Sequence, residues 1–281
     1  MHGLTPHERM QTILRMLEAR GSVPVSELSQ AFAVSEVTVR SDLTALAEQG
    51  LVARVRGGVR ALQQGQSELG FDLRLRVEVA RKRAIARAAA ALVGEGEAVA
   101  LDASTTAYYL ALELRTKREL VVLTNGLHVA TALADAPDVT VLVTGGTLRL
   151  SAMSVVGELG TDVLRATRIT RGFLGARGLS RDRGLMDLNP DEVRLKRAIA
   201  DACEEVYGIL DGTKWHRSAL LSFVPAETLA GIVTDSSAPR DEVEAWRARG
   251  VDVIVADPGE REPPPVLPRD LYRGVDSDGA S

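Results

Sequence analysis

Between residues 81 and 256, seven short apolar runs recur among helical stretches, at 98–101, 120–123, 139–143, 173–174, 206–210, 232–233 and 251–255. This alternation constrains the fold more than any other feature of the chain. Short Val-, Ile- and Leu-rich runs read as strands covered on both faces, and the helices between them read as crossovers. The predicted unit is an α/β, Rossmann-like domain with a mostly parallel sheet, spanning residues 81–256. Most of the runs end in small polar loops: Asp102-Ala103-Ser104-Thr105-Thr106, Thr124-Asn125-Gly126, Thr144-Gly145-Gly146, Asp211-Gly212-Thr213-Lys214 and Thr234-Asp235. Ligands of open parallel sheets lodge at the carboxyl ends of the strands, so these loops are expected to converge on one crevice.

The first sixty residues follow another grammar. Thr5-Pro6-His7-Glu8 offers a capping box with proline at the first helical position. Met10, Ile13, Leu14 and Leu17 then fall at i, i+3, i+4 and i+7, and Gly21 can close the helix. A second helix is expected from Ser26 to about Ala33, and a third, capped by Ser35, to Gln49. Residues 51–60 read as a strand, a Gly57-Gly58 turn and a returning strand. Helix, helix, turn, helix and hairpin make an N-terminal α winged helix-turn-helix domain over residues 1–60.

On the third helix Val39, Leu43 and Leu46 share a face and should be buried. The residues left for the major groove of double-stranded operator DNA are Ser35, Val37, Thr38, Arg40, Ser41 and Thr44, with Arg40 able to pair with a guanine edge. In the hairpin, Arg54 and Arg56 are expected to point outward and Val55 inward, with Arg60 completing a basic wing for phosphates. Net charge does not discriminate here. Residues 1–60 hold seven arginines and no lysine against six acids, which also suits a small helical domain with solvated arginines.

In the second domain, Ser104, Thr105 and Thr106 precede an apolar helical run. They offer hydroxyls and open backbone N–H groups at a helix N-terminus, a ready anion site. Lys214 can add a charge for the same phosphate, and Asp102, Asn125 and Asp211 suit sugar hydroxyls. A phosphorylated polyol fits this mixture better than a dinucleotide, since neither G-x-G-x-x-G nor G-x-x-x-x-G-K-[ST] occurs at these places. Taken singly, each loop is an ordinary set of turn and cap residues. Glu192 and Lys196, at i and i+4 after the capping stretch Asn189-Pro190-Asp191, read most simply as a surface ion pair.

Two sets of motifs resemble the DeoR-type family of bacterial transcriptional regulators. The first comprises residues 25–28, Val34-Ser35-Glu36-Val37-Thr38-Val39-Arg40-Ser41-Asp42-Leu43 and Gly50-Leu51-Val52-Ala53-Arg54-Val55-Arg56-Gly57-Gly58. The second comprises residues 101–106, Leu123-Thr124-Asn125, Gly145-Gly146-Thr147-Leu148-Arg149, Gly157, Phe173-Leu174-Gly175, residues 192–197 and Asp211-Gly212-Thr213-Lys214. The resemblance implies a repressor of carbohydrate-metabolism genes whose sensor domain looks like ribose-phosphate isomerase in fold and binds a phosphosugar effector. It adds Thr124, Gly145, Gly146 and Lys196 to the effector-binding set. Three positions depart from the family's usual residues: Ser41 replaces an arginine, Arg56 a histidine and Ser104 a glycine.

Other classes are narrowed by composition. One cysteine, Cys203, excludes a disulfide framework, and four scattered histidines give no metal-ligand spacing. No cofactor is expected. No apolar run approaches the length of a membrane span, which points to the cytoplasm and away from membrane partners. Residues 61–80 read as a linker and residues 257–281, rich in proline and acids, as a disordered tail. A homo-oligomer, dimer or tetramer, is expected from the need to read paired half-sites. The rival from another class is a phosphosugar isomerase with an appended regulatory domain, using Asp102, Asp211 and Lys214.

Overall fold

The capping residues set the first elements. The computed structural model describes residues 4–48, 52–61 and 71–259. Thr5 Oγ1 accepts from the Glu8 amide at 3.3 Å and the Glu8 carboxylate accepts from the Thr5 amide at 3.0 Å, opening α1 (Pro6–Arg20). Gly21, at φ 74°, closes it. Then follow β1 (Ser22–Pro24), α2 (Val25–Phe32), α3 (Glu36–Glu48), β2 (Val52–Val55) and β3 (Gly58–Ala61). The strands form an antiparallel sheet in the order β1-β3-β2. Three-residue β1 is too short to leave a periodic signal and was not anticipated.

Ile13, Leu17, Leu28, Val39, Leu43, Leu46 and Val59 are buried together, as the helical spacing requires. One expectation is corrected: Val55 is 45% exposed and does not point into the core. Val55 is the last residue of β2, paired with Gly58 beside the turn, and burial along the strand falls away from Val52 toward that end.

The expected linker is also corrected where it is described. Residues 62–70 lie outside the described residues, but from Phe71 the chain is helical and buried, in α4 (Phe71–Arg76) and α5 (Val79–Ala90). Leu73 and Val77 belong to the core of the first module, whereas Phe71, Leu75 and Val79 belong to a core of the second. Two positions on a helix are about 200° apart, so opposite faces of one short segment serve two cores.

The remainder runs β4 (Ala98–Leu101), α6 (Thr105–Leu114), β5 (Leu120–Thr124), α7 (Leu127–Leu133), β6 (Val139–Val143), β7 (Thr147–Arg149), β8 (Ser154–Val156), α8 (Thr161–Ala166) and β9 (Ile169–Leu174). It continues through β10 (Gly178–Ser180), β11 (Gly184–Asp187), α9 (Pro190–Asp201), β12 (Cys203–Ile209), β13 (Leu221–Val224), β14 (Gly231–Asp235), α10 (Arg240–Arg247) and β15 (Asp252–Ala256). All seven expected runs enter one sheet, ordered β15-β14-β12-β9-β4-β5-β6, with every described pairing parallel. Ile85, Val99, Tyr109, Val122 and Phe173 fill one face, and Ala100, Leu123, Ile199, Ile232 and Trp246 the other. The ribbon β10-β11-β13 and the β7–β8 hairpin are antiparallel additions that the runs did not disclose. Most of the expected tail, residues 260–281, lies outside the described residues. No helix among the described residues is long and apolar enough to cross a membrane.

Candidate functional site

The first surface is built by α3 and the β2–β3 hairpin. Ser35 caps α3, its Oγ accepting from the Thr38 amide at 3.2 Å. Val37 is 76% exposed, Arg40 and Ser41 are exposed, and Thr38 and Thr44 are half-buried. The Arg40 guanidinium donates to Glu36 at 2.9 Å, one turn back on the surface. Thr44 joins helix to wing, its hydroxyl donating to the Arg40 carbonyl at 2.8 Å and accepting from Arg54 at 3.3 Å. Arg54, Arg56 and Arg60 are exposed, and none has a carboxylate partner among the described residues.

Two acids of this module, Asp42 and Glu27, are engaged away from this surface. Asp42 is buried and accepts two hydrogen bonds from Arg9, at 2.8 and 3.2 Å, bolting α3 to α1. That hydrogen bond, against the opposing effect of burial, raises the Arg9 pKa above the usual guanidinium value. Glu27 accepts from Arg20 on the surface, and its carboxyl is held below the usual range by that bond. Arg54, Arg56 and Arg60 form a local group of positive charge on the wing. The structure brings all nine sequence-predicted residues to α3, its cap and the hairpin.

The second surface is a narrow crevice of about 60 Å³, well below the roughly 300–1,000 Å³ of sites already shaped for a small ligand. Sheet order explains its position. From β4 the chain proceeds outward to β5 and β6, then crosses to β9 on the other side and proceeds to β12. The direction reverses between β4 and β9, and the crevice opens at the carboxyl ends of β4, β9 and β12, the topological switch point. Ser104, Thr105 and Thr106 line it after β4, Gly175, Ala176 and Arg177 after β9, and Asp211 and Lys214 after β12. Arg74 and Lys82 reach it from the segment joining the two modules.

Ser104 is the N-cap of α6, its Oγ accepting from the Ala107 amide at 3.1 Å, with Thr105 and Thr106 buried in the first turn. The α6 N-terminus therefore faces the crevice with Arg74, Lys82, Arg177 and Lys214 around it. A Cβ on Gly175 would lie 2.5 Å from the Ser104 side chain, so the serine is accommodated by glycine opposite. Asp211 is buried and caps the turn that carries Lys214, its Oδ1 accepting from the Thr213 amide at 2.9 Å.

Lys196 was read as half of a surface pair with Glu192, and this is corrected: both are buried. The helix α9 turns them toward the sheet, where the Lys196 ammonium meets Asp187 at 2.7 Å, Asp102 at 3.0 Å and the Gly175 carbonyl at 2.9 Å. Burial disfavours its charge, but the two carboxylates outweigh this and raise its pKa. Burial likewise pushes Asp187 up, and Lys196 more than offsets it, leaving the carboxyl below its ordinary value. Glu192 accepts from Arg149 at 2.6 Å, from Ser154 and from Asn125 at 3.4 Å, fastening the β7–β8 hairpin to α9.

Five expected effector residues stand outside the crevice lining. Asp102 lies beneath it with both oxygens engaged, by the Ser104 amide at 3.1 Å and by Gly175 and Lys196. Thr124 accepts from the Gly126 amide, and Asn125 donates to Val155 and Glu192. Gly145 and Gly146 begin the turn into the β7–β8 hairpin, where Gly146 takes φ 133°. These loops follow β5 and β6, on the edge side of the switch point, and no residue pattern disclosed that order. Arg74 and Arg177 were missed because charges in segments read as linker or loop carry no spacing signal, and Lys82 because it lies on a helix before the first strand and not in a strand-end loop. The Cys203 thiol donates to the Ile199 carbonyl, and burial pushes its pKa up to about 12.

Residues 9–65 match the family model described as DeoR-like helix-turn-helix domain, and residues 77–236 match DeoR C terminal sensor domain. The chain is 34% identical over 250 residues to a candidate aga operon transcriptional repressor of Escherichia coli O157:H7, covering 88% of this chain and 93% of that protein. It is 31% identical over 232 residues to the glycerol-3-phosphate regulon repressor of Escherichia coli K12, covering 83% and 92% respectively. Among solved structures, ribose 5 phosphate isomerase A of Neisseria gonorrhoeae overlays 48% of this chain and 52% of its own, with TM-score 0.37 and 17% identity.

Proposed function

The chain belongs to the DeoR family of DNA-binding transcriptional regulators, and from that premise we propose that it is a cytoplasmic repressor released by a phosphorylated sugar or sugar alcohol. The observation that carries the reading is the crevice at the switch point, where the α6 N-terminus is ringed by the cations of Arg74, Lys82, Arg177 and Lys214. Open backbone donors and a concentration of positive charge suit a phosphate. The buried Asp211 and the cap hydroxyl of Ser104 are placed for the polyol portion. Thr105, Thr106 and Lys214 are proposed to hold the phosphate; Lys196 orders the floor by holding Asp102 and Asp187.

On DNA, α3 is proposed to enter the major groove, with Arg40 exchanging Glu36 for a guanine edge and the wing arginines gripping phosphate. Two copies reading paired half-sites compensate for the modest charge of each module. Effector binding shifts the population between a form that matches both half-sites and one that does not. The test is calorimetric titration of the full chain with a panel of sugar and polyol monophosphates. Lys214→Ala and Thr105→Ala should each weaken binding by roughly 10- to 150-fold, the equivalent of about 1.5–3 kcal/mol for a charge-assisted hydrogen bond. Unchanged affinity in both variants would place the phosphate elsewhere.

A further inference from the structure

The crevice and the helix-turn-helix module share one element. Helix α4 buries Leu73 and, just beyond its end, Val77 lies in the DNA-module core, while Phe71 and Leu75 are in the α/β core. At its end the Lys82 ammonium donates to the carbonyls of Arg74 at 2.5 Å and Val77 at 2.6 Å, while the Arg74 carbonyl also accepts from the Val77 amide at 3.3 Å and the Leu75 carbonyl from the Tyr109 hydroxyl at 3.0 Å. A lysine in that position satisfies groups that a helix end leaves open. The same Lys82 is 5% exposed and lines the crevice beside Arg74. At the other end of α4, the Phe71 amide donates to the Ser151 carbonyl at 3.1 Å, and the adjacent Ala152 also lines the crevice. Glu78 beyond Val77 faces Arg15 of α1 at 3.6 Å.

Resting on the reading of the crevice as an effector site, we propose that Lys82 is the positioning residue that couples it to DNA. With the crevice empty, the ammonium clamps the end of α4 and holds the DNA module in its operator-competent placement. A bound phosphate competes for that ammonium. The two carbonyls then lose their shared donor, the end of α4 loosens, and Leu73 and Val77 lose their fixed seat in the helix-turn-helix core. The energy for the change is the difference between the phosphate's contacts with Lys82 in the two states. Lys82 acts through α4 and touches no DNA.

The experiment uses the full chain, an operator duplex selected from random sequence by the wild type, and a panel of sugar and polyol monophosphates with inorganic phosphate as control. Without ligand, Lys82→Met should bind the operator at least tenfold more weakly, with faster amide exchange at residues 75–79 and unchanged exchange in β4. Lys82→Arg, which retains a cation, should restore operator binding. In the wild type, a bound sugar phosphate should release the operator and accelerate exchange at residues 75–79. Equal operator affinity and equal exchange in Lys82→Met would overturn the proposal. So would release of the wild type by a ligand that leaves exchange at residues 75–79 unaltered, a readout that stands even if the methionine variant does not fold. If no panel member binds the wild type, the reading of the crevice fails separately, and the operator affinity of Lys82→Met alone still upholds or overturns the clamp.

Discussion

At the residue scale, neighbouring charges on α3 have opposite duties. Asp42 is buried against Arg9, whereas Arg40 holds only a surface pair with Glu36. Asp42→Ala strands a buried guanidinium, so the helix-turn-helix module should be destabilised by about 1–3 kcal/mol, read as an earlier thermal transition. Arg40→Ala should leave that transition in place and instead weaken specific operator binding by about 1–3 kcal/mol, with little loss on random DNA. Competition binding with both duplexes checks this, and equal losses would mean that Arg40 only grips phosphate. His128 makes a different prediction. Its ring lies 4.3 Å from that of Phe71 in α4, and burial lowers its pKa, Asp72 opposing and Arg74 reinforcing the shift. A depressed histidine pKa means that the unfolded chain takes up the proton more readily. Its stabilising contribution is therefore complete above about pH 6.5 and is lost as pH falls from there through the lower pKa of the folded state. Thermal melts from pH 7.5 to 5.5 should decline more steeply for the wild type than for His128→Gln.

At the element scale, the β7–β8 hairpin shows why family glycines need not be ligands. A Cβ on Gly146, already at φ 133°, would lie 2.2 Å from the Val156 carbonyl oxygen, whereas one on Gly145 meets nothing closer than 3.5 Å. Gly146→Ala should therefore cost about 1–3 kcal/mol of stability and Gly145→Ala almost nothing, by thermal melting, with effector affinity altered by neither. The same scale marks where sequence reading succeeds and stops. All seven parallel strands were legible because each is a dense apolar run, and the caps Thr5, Ser35 and Asn189 announced their helices. Helix α4 was not legible. Phe71, Leu73, Leu75, Val77 and Val79 alternate like a half-buried strand, yet the alternation arises because two cores cover opposite sides of a helical segment. The crevice at the switch point was half legible for a related reason. Strand-end loops could be found, but the order of the strands, which decides which loops meet, is a property of tertiary packing.

At the scale of the whole molecule, recognition and sensing are separated in sequence and joined through α4. Net charge is −4 overall, so on the proposed reading DNA binding depends on the local arginines of the wing. Arg56→Ala should weaken all duplexes alike and reduce the slope of log affinity against log salt by about 1 per module. The account stands most directly on fluorescence anisotropy of a labelled operator titrated with the full chain, with and without sugar and polyol monophosphates. It predicts specific, salt-dependent binding that at least one phosphorylated compound weakens by tenfold or more, while the same compound without its phosphate does nothing. Operator binding that no phosphorylated member of the panel alters, or that the unphosphorylated sugar alters equally, would contradict it.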